Sequence, residues 1–568
     1  MATVGINEAA APRKAVAAGE PEKQVCFAFL GVGLLAMFIG FLLGPPQALN
    51  YAGINVYQYL PLSSYYQGLT LHGVLMALVF TSYFIAGLLI YLPARELRRR
   101  PNMGLSWTAF GMMTVGTALA GGAMLADSSN VLYTLYPPLE GHWTFYLGLA
   151  LVVVATLVAA VVTLAMRQAF KRANPDQPTP LVTYMSVVTW IMWAIASLGV
   201  AVGVVVLLLP ASLGWVEGTD PQLFRTLFWF TGHPIVYFWL LPAYIAWYAM
   251  IPHRAGGKLF SDPMVRLVFL LFLVFSIPVG FHHQYSDPGI GVAWKLVHNI
   301  TTGFVAIPSL ITAFTVAASL EIAGRNNGGR GWLGWIPALP WRDPFVTASF
   351  LAMVTFIFGG AGGIVLSSFN LNVLVHNTAF IPGHFHITVG TAVTMTFMGL
   401  AFVLIPHLTR RRLLWRRTAL TSVWCWFVGM MLFAVGMHWQ GILSVPRRSH
   451  ISSLPDSLAE TYAHAATPAA ITGLSAVVLL VAGVLFFYVL IATLLQRREP
   501  QAVVPRVAFG QALSGSHNSD GEPKRMVMTM DRLLPWTFLA IALILVAYAP
   551  TIISQIADYT PVSGRQLW

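Results

Sequence analysis

Residues 379–406 read AFIPGHFHITVGTAVTMTFMGLAFVLIP. Apart from His384 and His386, nothing in this stretch ionises, and about 20 apolar residues suffice to cross a bilayer as a helix. The stretch is therefore predicted to be a membrane helix. Two histidines inside lipid need a reason, because ionisable groups there are costly and mark functional sites. Two residues apart on a helix is about 200° of rotation. His384 and His386 must face opposite sides, which suits two sites flanking one helix and not one metal.

The rest of the chain repeats the apolar pattern. The 568 residues are 57% hydrophobic and only 9% charged, against about 25% charged in a soluble domain. The fold class is an all-α polytopic membrane protein, read as a bundle of thirteen transmembrane helices. Spans are expected near 25–44, 67–93, 105–126, 143–166, 183–210, 225–251, 265–284, 293–320, 344–367, 379–406, 418–443, 468–494 and 533–556. Residues 1–24 form a polar N-terminal tail with no cleavable signal evident, 25–557 the membrane domain, and 558–568 a C-terminal tail. The connection at about 497–530 is polar, with Gly and Ser, and is expected to be flexible.

Arginine and lysine sit in alternate loops. Arg95, Arg98, Arg99 and Arg100 follow the second span, Arg167, Lys171 and Arg172 the fourth, Arg254 and Lys258 the sixth, Arg325 and Arg330 the eighth. Arg410, Arg411, Arg412, Arg416 and Arg417 follow the tenth, and Arg497, Arg498, Lys524 and Arg525 the twelfth. The positive-inside rule puts these loops and the N-terminus in the cytoplasm and the C-terminus outside. The net charge of +12 is thus accounted for without nucleic acid. Cys26 and Cys425 lie in apolar runs and are read as packing residues.

Topology then converts position into depth. His72, His233, the pair His282–His283, and His384 with His386 all fall within roughly the outer 12 Å of their helices, at 1.5 Å per residue. A lone buried histidine is usually only hydrogen-bonded in a bundle; six in one layer point to metal. His72 and His386 suit bis-imidazole ligation of a low-spin haem, and His384 a high-spin haem with an open position, since haem iron takes axial histidine readily. His233, His282 and His283 offer three imidazoles and no thiolate, which suits Cu or Zn. Tyr237, four residues after His233, shares its helix face.

These residues resemble subunit I of the haem–copper oxygen reductases. Trp229-Phe230-Thr231-Gly232-His233-Pro234-Ile235-Val236-Tyr237 is similar to the family's copper-helix motif, Phe281-His282-His283-Gln284 to its His-His pair, and Gly383-His384-Phe385-His386 to its haem-helix motif. Gly73 after His72 also fits. The resemblance is to the B-type (ba-type) cytochrome c oxidases, because Ile235 stands where the A-type has Glu and the loop after the second span is Arg-rich. It implies reduction of oxygen to water with proton pumping, in a bacterial or archaeal cytoplasmic membrane. It implies a low-spin b-type haem on His72 and His386, a high-spin a-type haem on His384, and copper (CuB) on His233, His282 and His283. Tyr237 would be cross-linked to His233. It also implies a partner subunit II carrying CuA, a c-type cytochrome as donor, and room for a small accessory membrane subunit.

The predicted helices hold almost no carboxylates, which argues against a carboxylate relay and against many ion-coupled transporters. Hydroxyls occur instead. Tyr237, Tyr244 and Tyr248 lie on one helix face over roughly 16 Å, with Thr302, Ser309 and Thr312 at matching depths on the eighth span. The resemblance makes these a K-type proton path. Arg447 and Arg448 interrupt the loop charge pattern and suit haem propionates, with His376 and Asn377 beside them. Relatives carry Asp four residues before that histidine; this chain has Asn372. Two other classes compete. Nitric oxide reductase shares the six histidines, but adds Glu ligands and lacks the tyrosine. A cofactor-free transporter fits the helix count but leaves the histidine layer unexplained.

Overall fold

A computed structural model describes residues 20–455, 460–497, 505 and 507–566. The predicted tail at 1–19, Arg498 and the last two residues lie outside the described residues. Among the described residues, twelve helices are long and apolar enough to cross a membrane. They are α1 (Pro21–Tyr51), α2 (Tyr65–Leu97), α3 (Met103–Leu125), α4 (Trp143–Ala173), α5 (Leu181–Ser212), α6 (Pro221–Arg254), α8 (Val292–Asn326), α9 (Pro344–Ser367), α10 (Phe380–Thr409), α11 (Arg416–Ile442), α12 (Ala463–Leu495) and α13 (Leu533–Ala557). Between α6 and α8 runs a shorter helix, α7 (Asp262–Phe275).

The seventh predicted span, 265–284, is thus only partly helical. Ile277 precedes Pro278, and a residue before proline is pushed out of the helical region, so α7 stops at Phe275. The chain then closes a separate 3₁₀ turn, Gly280–Gln284. His282 and His283 sit on that turn and not on the end of a helix, as the sequence suggested.

Proline also shapes α6. It is continuous from Pro221 to Gly232, breaks at His233, and resumes from Pro234. Pro234 has no N–H to give the preceding turn, so the break falls on the histidine itself. The 3₁₀ turn packs directly on this break. A Cβ on Gly280 would collide with the Trp229 carbonyl oxygen, so only glycine permits the approach.

Two other helices loosen beside a histidine. Val74–Phe80, just beyond His72 and Gly73, is π-helical, and so is His386–Val393. In the second stretch the Thr391 and Thr394 hydroxyls each donate to the carbonyl five residues back, both at 2.9 Å. A third π-helical stretch, Gly203–Leu208, lies in α5.

The Arg-rich loops meet at one end of the bundle. Asp343 takes Arg254 at 2.9 Å and Arg416 at 3.6 Å. Asp531 takes Lys171 at 3.2 Å and Arg167 at 3.6 Å. Arg266, 1% exposed, pairs with Asp262 at 2.6 Å and reaches Asp531 at 3.9 Å. The connection expected to be flexible is anchored from residue 507 onward. β2 (Ala512–Ser514) pairs in parallel with β1 (Leu259–Ser261), and a short helix, Arg525–Asp531, carries Asp531 into the ion cluster. A polar, glycine-bearing segment reads as loose in sequence, but here main-chain pairing and charge hold it. Residues 498–504 lie outside the described residues. At the opposite end, Val562 exchanges both main-chain hydrogen bonds with Thr219 at 3.1 Å, which ties the C-terminal tail to the loop before α6.

Candidate active site

Three imidazoles converge where the broken α6 meets the 3₁₀ turn. His233 Nδ1 lies 3.1 Å from His283 Nε2, and His282 Nε2 lies 2.9 Å from that same atom. One nitrogen from each ring falls within 4.8 Å of the others. Three imidazoles aimed at one point, with no thiolate among them, form a donor set that a cation would satisfy. The ring orientations are fixed from outside. His282 Nδ1 lies 3.0 Å from Thr302 Oγ1, which donates to the His298 carbonyl at 2.6 Å. His283 stacks on Trp229, centroids 3.8 Å apart and planes 8° from parallel. Such supports beneath the ligands set tautomer and aim.

Tyr237 completes the group. Its Oη lies 2.8 Å from His233 Nε2, the nitrogen turned away from the other two histidines. His233, Tyr237, His282, His283 and His384 all line one cavity of about 960 Å³, large enough for a cofactor.

His384 reaches that cavity from α10, and α9 makes room for it. Gly362 and Gly363 face the ring; a Cβ on Gly362 would stand 2.9 Å from His384 Nδ1, and one on Gly363 3.6 Å from its Cε1. His384 Nδ1 is buried without a hydrogen-bond partner. The donor set and the glycine cradle fit a haem held on this side.

On the other face of α10, His386 opposes His72. Their ring planes are 6° from parallel, with centroids 6.1 Å apart. Metal–imidazole bonds of about 2.0–2.1 Å on either side, with the half-widths of the two rings, require about this spacing. The Nδ1 atoms are already engaged, His72 with the Gly40 carbonyl at 2.8 Å and His386 with the Pro382 carbonyl at 2.7 Å. Both Nε2 atoms are left for the metal. The pair fits a bis-imidazole haem.

The hydroxyls are brought together in part. Tyr248 Oη donates to Thr312 Oγ1 at 2.7 Å, and Thr312 Oγ1 to the Pro308 carbonyl at 2.7 Å. Tyr244 Oη is buried without closing a hydrogen bond, beside Ser309 and Thr312. Ser309 Oγ is turned back onto the Val305 carbonyl at 3.3 Å. Thr302 is committed to His282.

On the outer side Arg447 donates to Asn377 Oδ1 at 2.7 Å, while Arg448 lies over the rings of Tyr133 and Tyr136. Burial and the adjacent Arg448 bring the Arg447 guanidinium down to about 10. His376 Nδ1 lies 3.2 Å from Asn372 Oδ1, and burial, with Arg447 nearby, holds its imidazole below its usual range. Asn372 donates to the Leu366 carbonyl at 2.6 Å. Arg447 and His376 line the cavity; Arg448 does not.

Four features escaped the sequence reading. They are the Arg225–Asp287 ion pair at 2.8 Å, the Trp229 stack, the His298 carbonyl and the glycine cradle. Trp229 and the glycines could have been found from the motif and the repeated Gly pairs. The ion pair joins residues 62 apart in sequence and left no local signal.

Known proteins share this fold. A sequence model of the family described as "Cytochrome C and Quinol oxidase polypeptide I" matches residues 24–472. The chain is 52% identical over 556 residues to cytochrome c oxidase subunit 1 of Thermus thermophilus, covering 96% of this chain and 97% of that one. A quinol oxidase subunit 1 from Sulfolobus acidocaldarius is 25% identical over 59% of this chain and 63% of its own length. A chain from the structure titled as a heme-copper terminal oxidase dimer superposes with a TM-score of 0.91 at 36% identity, covering 97% of this chain and 96% of that one. The fold and site are those of a membrane-embedded haem–copper oxidoreductase. The chain belongs to the cytochrome c and quinol oxidase polypeptide I family.

Proposed function

We propose that this chain is the catalytic subunit I of a B-type cytochrome c oxidase, which reduces oxygen to water in the bacterial cytoplasmic membrane and couples the reaction to proton pumping. One observation carries the reading: three histidines within 4.8 Å of one another, with Tyr237 bonded to His233, on the same cavity that His384 lines. His72 and His386 hold the low-spin haem, His384 the high-spin haem, and His233, His282 and His283 the copper. When bound, the high-spin haem and copper supply the place where oxygen is held and the electrons to reduce it.

The chain's own part is positional and protonic. Thr302 and Trp229 fix the copper ligands. Tyr237 Oη holds a proton beside the cavity, and the His233 contact places the two rings for the cross-link the family resemblance implies. Tyr248, Thr312, Ser309 and Tyr244 offer hydroxyls along the route to Tyr237, and water must bridge where they do not touch. Arg447, Arg448 and His376 face the propionate side. Thirteen crossings, with the Arg-rich end in the cytoplasm and the C-terminus outside, suit this arrangement. α7 and its 3₁₀ turn run from β1, beside the charged loops, to the histidine layer. Electrons come through a subunit II with CuA, fed by a c-type cytochrome.

Metal and haem content of the purified complex, with a reduced-plus-CO spectrum, tests the reading. Two distinct haems, one binding CO, and copper lost in His283→Ala but not in His72→Ala are expected. Non-haem iron in place of copper would assign a nitric oxide reductase. A complex without haem would overturn the proposal.

A further inference from the structure

The loop joining α10 to α11 is Arg410-Arg411-Arg412-Leu413-Leu414-Trp415-Arg416-Arg417. It is a built loop. Arg410 and Trp415 both adopt left-handed backbone, at φ 55° and 43°, a conformation that costs non-glycine residues energy unless the surroundings hold it. α12 does the holding. Leu414 N donates to Thr493 Oγ1 at 3.2 Å, Gln496 Nε2 to the Arg412 carbonyl at 2.6 Å, and Arg411 Nε to the Gln496 carbonyl at 3.1 Å.

The result aims Trp415 sideways. Its ring lies flat on Tyr488 of α12, centroids 4.6 Å apart and planes 8° from parallel, and both rings stay about half exposed. Tyr488 is seven residues before Leu495, so the aromatic wall stands about 10 Å below the end of α12, at the depth where Trp and Tyr favour the interface. Above it, the Arg417 and Arg497 side chains are exposed. Among the described residues, the nearby carboxylates are engaged, Asp343 by Arg254 and Arg416, and Glu20 by Lys23. Below it, α12 shows an exposed apolar stripe of Val477, Val481 and Val484, and Ile491 and Leu495 continue the same exposed face above it. Trp424, Val428 and Val435 of α11 run beside it.

A cationic head site, an aromatic collar and an apolar stripe in line are complementary to an anionic phospholipid. We propose that the α10–α11 loop and the end of α12 form a specific site for the phosphate headgroup of an anionic lipid, with its acyl chains along α11 and α12. The cytoplasmic leaflet supplies such lipids, and each arginine near its surface adds to the attraction.

The test uses the intact, haem-loaded complex, delipidated in neutral detergent. Added phosphatidylglycerol should raise the thermal midpoint by several degrees, while phosphatidylcholine and inorganic phosphate should not. Native mass spectrometry should show one tightly retained anionic lipid. Arg417→Ala with Arg497→Ala, and separately Trp415→Ala, should abolish both signals with the haem spectrum unchanged. Arg98→Ala with Arg99→Ala, removing an equal charge from the loop after α2, should leave both intact. Equal shifts with the two lipids would overturn the proposal. So would persistence of the signals in the α10–α11 loop variants, or their loss in the α2-loop control.

Discussion

Thr302 Oγ1 lies 3.0 Å from His282 Nδ1 and donates onward to the His298 carbonyl at 2.6 Å, so one hydroxyl orients the ring of a proposed copper ligand. Thr302→Val keeps the shape and removes the bridge. Copper affinity should fall about 10- to 100-fold, the usual effect of losing a group that orients a ligand. Equilibrium competition with a chelator measures it, and both haem spectra should stay as they are.

The glycine cradle makes a steric prediction. A side chain at Gly362 would meet His384 Nδ1 at 2.9 Å or closer. Gly362→Val should displace the ring and lose the CO-binding haem while the bis-imidazole haem, on the far face of α10, remains. Pyridine haemochrome quantification beside the CO difference spectrum separates the two.

Tyr237→Phe removes one oxygen atom from the contact with His233 Nε2. Metals should load normally, because no copper ligand changes. Steady-state oxygen consumption should fall by about 10²–10⁴-fold, the range for a positioned proton donor. Normal turnover in a fully loaded Tyr237→Phe complex would remove Tyr237 from the mechanism.

Asn372 gives His376 a neutral partner, and His376 stays deprotonated more readily than a free imidazole. Asn372→Asp would place a carboxylate 3.2 Å from Nδ1. An opposite charge at that range favours the imidazolium and raises its titration by about 1–3 pH units. The variant should therefore hold a proton at His376 to higher pH. Its proton yield per electron, measured across pH in liposomes, should move in that direction. An unchanged profile would mean that position 372 has no part in pumping.

Arg266 is buried between Asp262 and Asp531. Arg266→Met fills the volume but leaves carboxylates without their partner, a change that costs about 3–5 kcal/mol. Thermal unfolding should begin earlier, and the segment 507–531 should become the first site of proteolysis.

Much of this was readable in the chain. The span positions, the alternate charged loops and the six histidines follow from hydropathy and spacing, because a bilayer imposes one length and one sign rule on every helix. The His384–His386 spacing alone separates the two haem faces. Other features depend on pairing that spacing cannot reveal. The end of α7 was missed because an apolar run reads the same whether helical or not, and only Pro278 marks the break. The anchored segment after residue 507 looks loose until β1 and the buried arginine are placed beside it. The hydroxyl path shows its residues but not its gaps, since Ser309 and Thr302 spend their hydrogen bonds elsewhere.

The π-helical turns beside His72 and His386 carry a consequence for chain length. Each works as a shim of one residue, inserted between an imidazole and the rest of its helix. Rewinding the stretch 387–393 as ordinary helix with every residue kept would turn the remainder of α10 by about 100° relative to His386. Either the imidazole or the Thr409 half of α10 could then keep its facing, but not both. A single-residue deletion within 387–393 should be absorbed by the same rewinding, whereas an insertion should not.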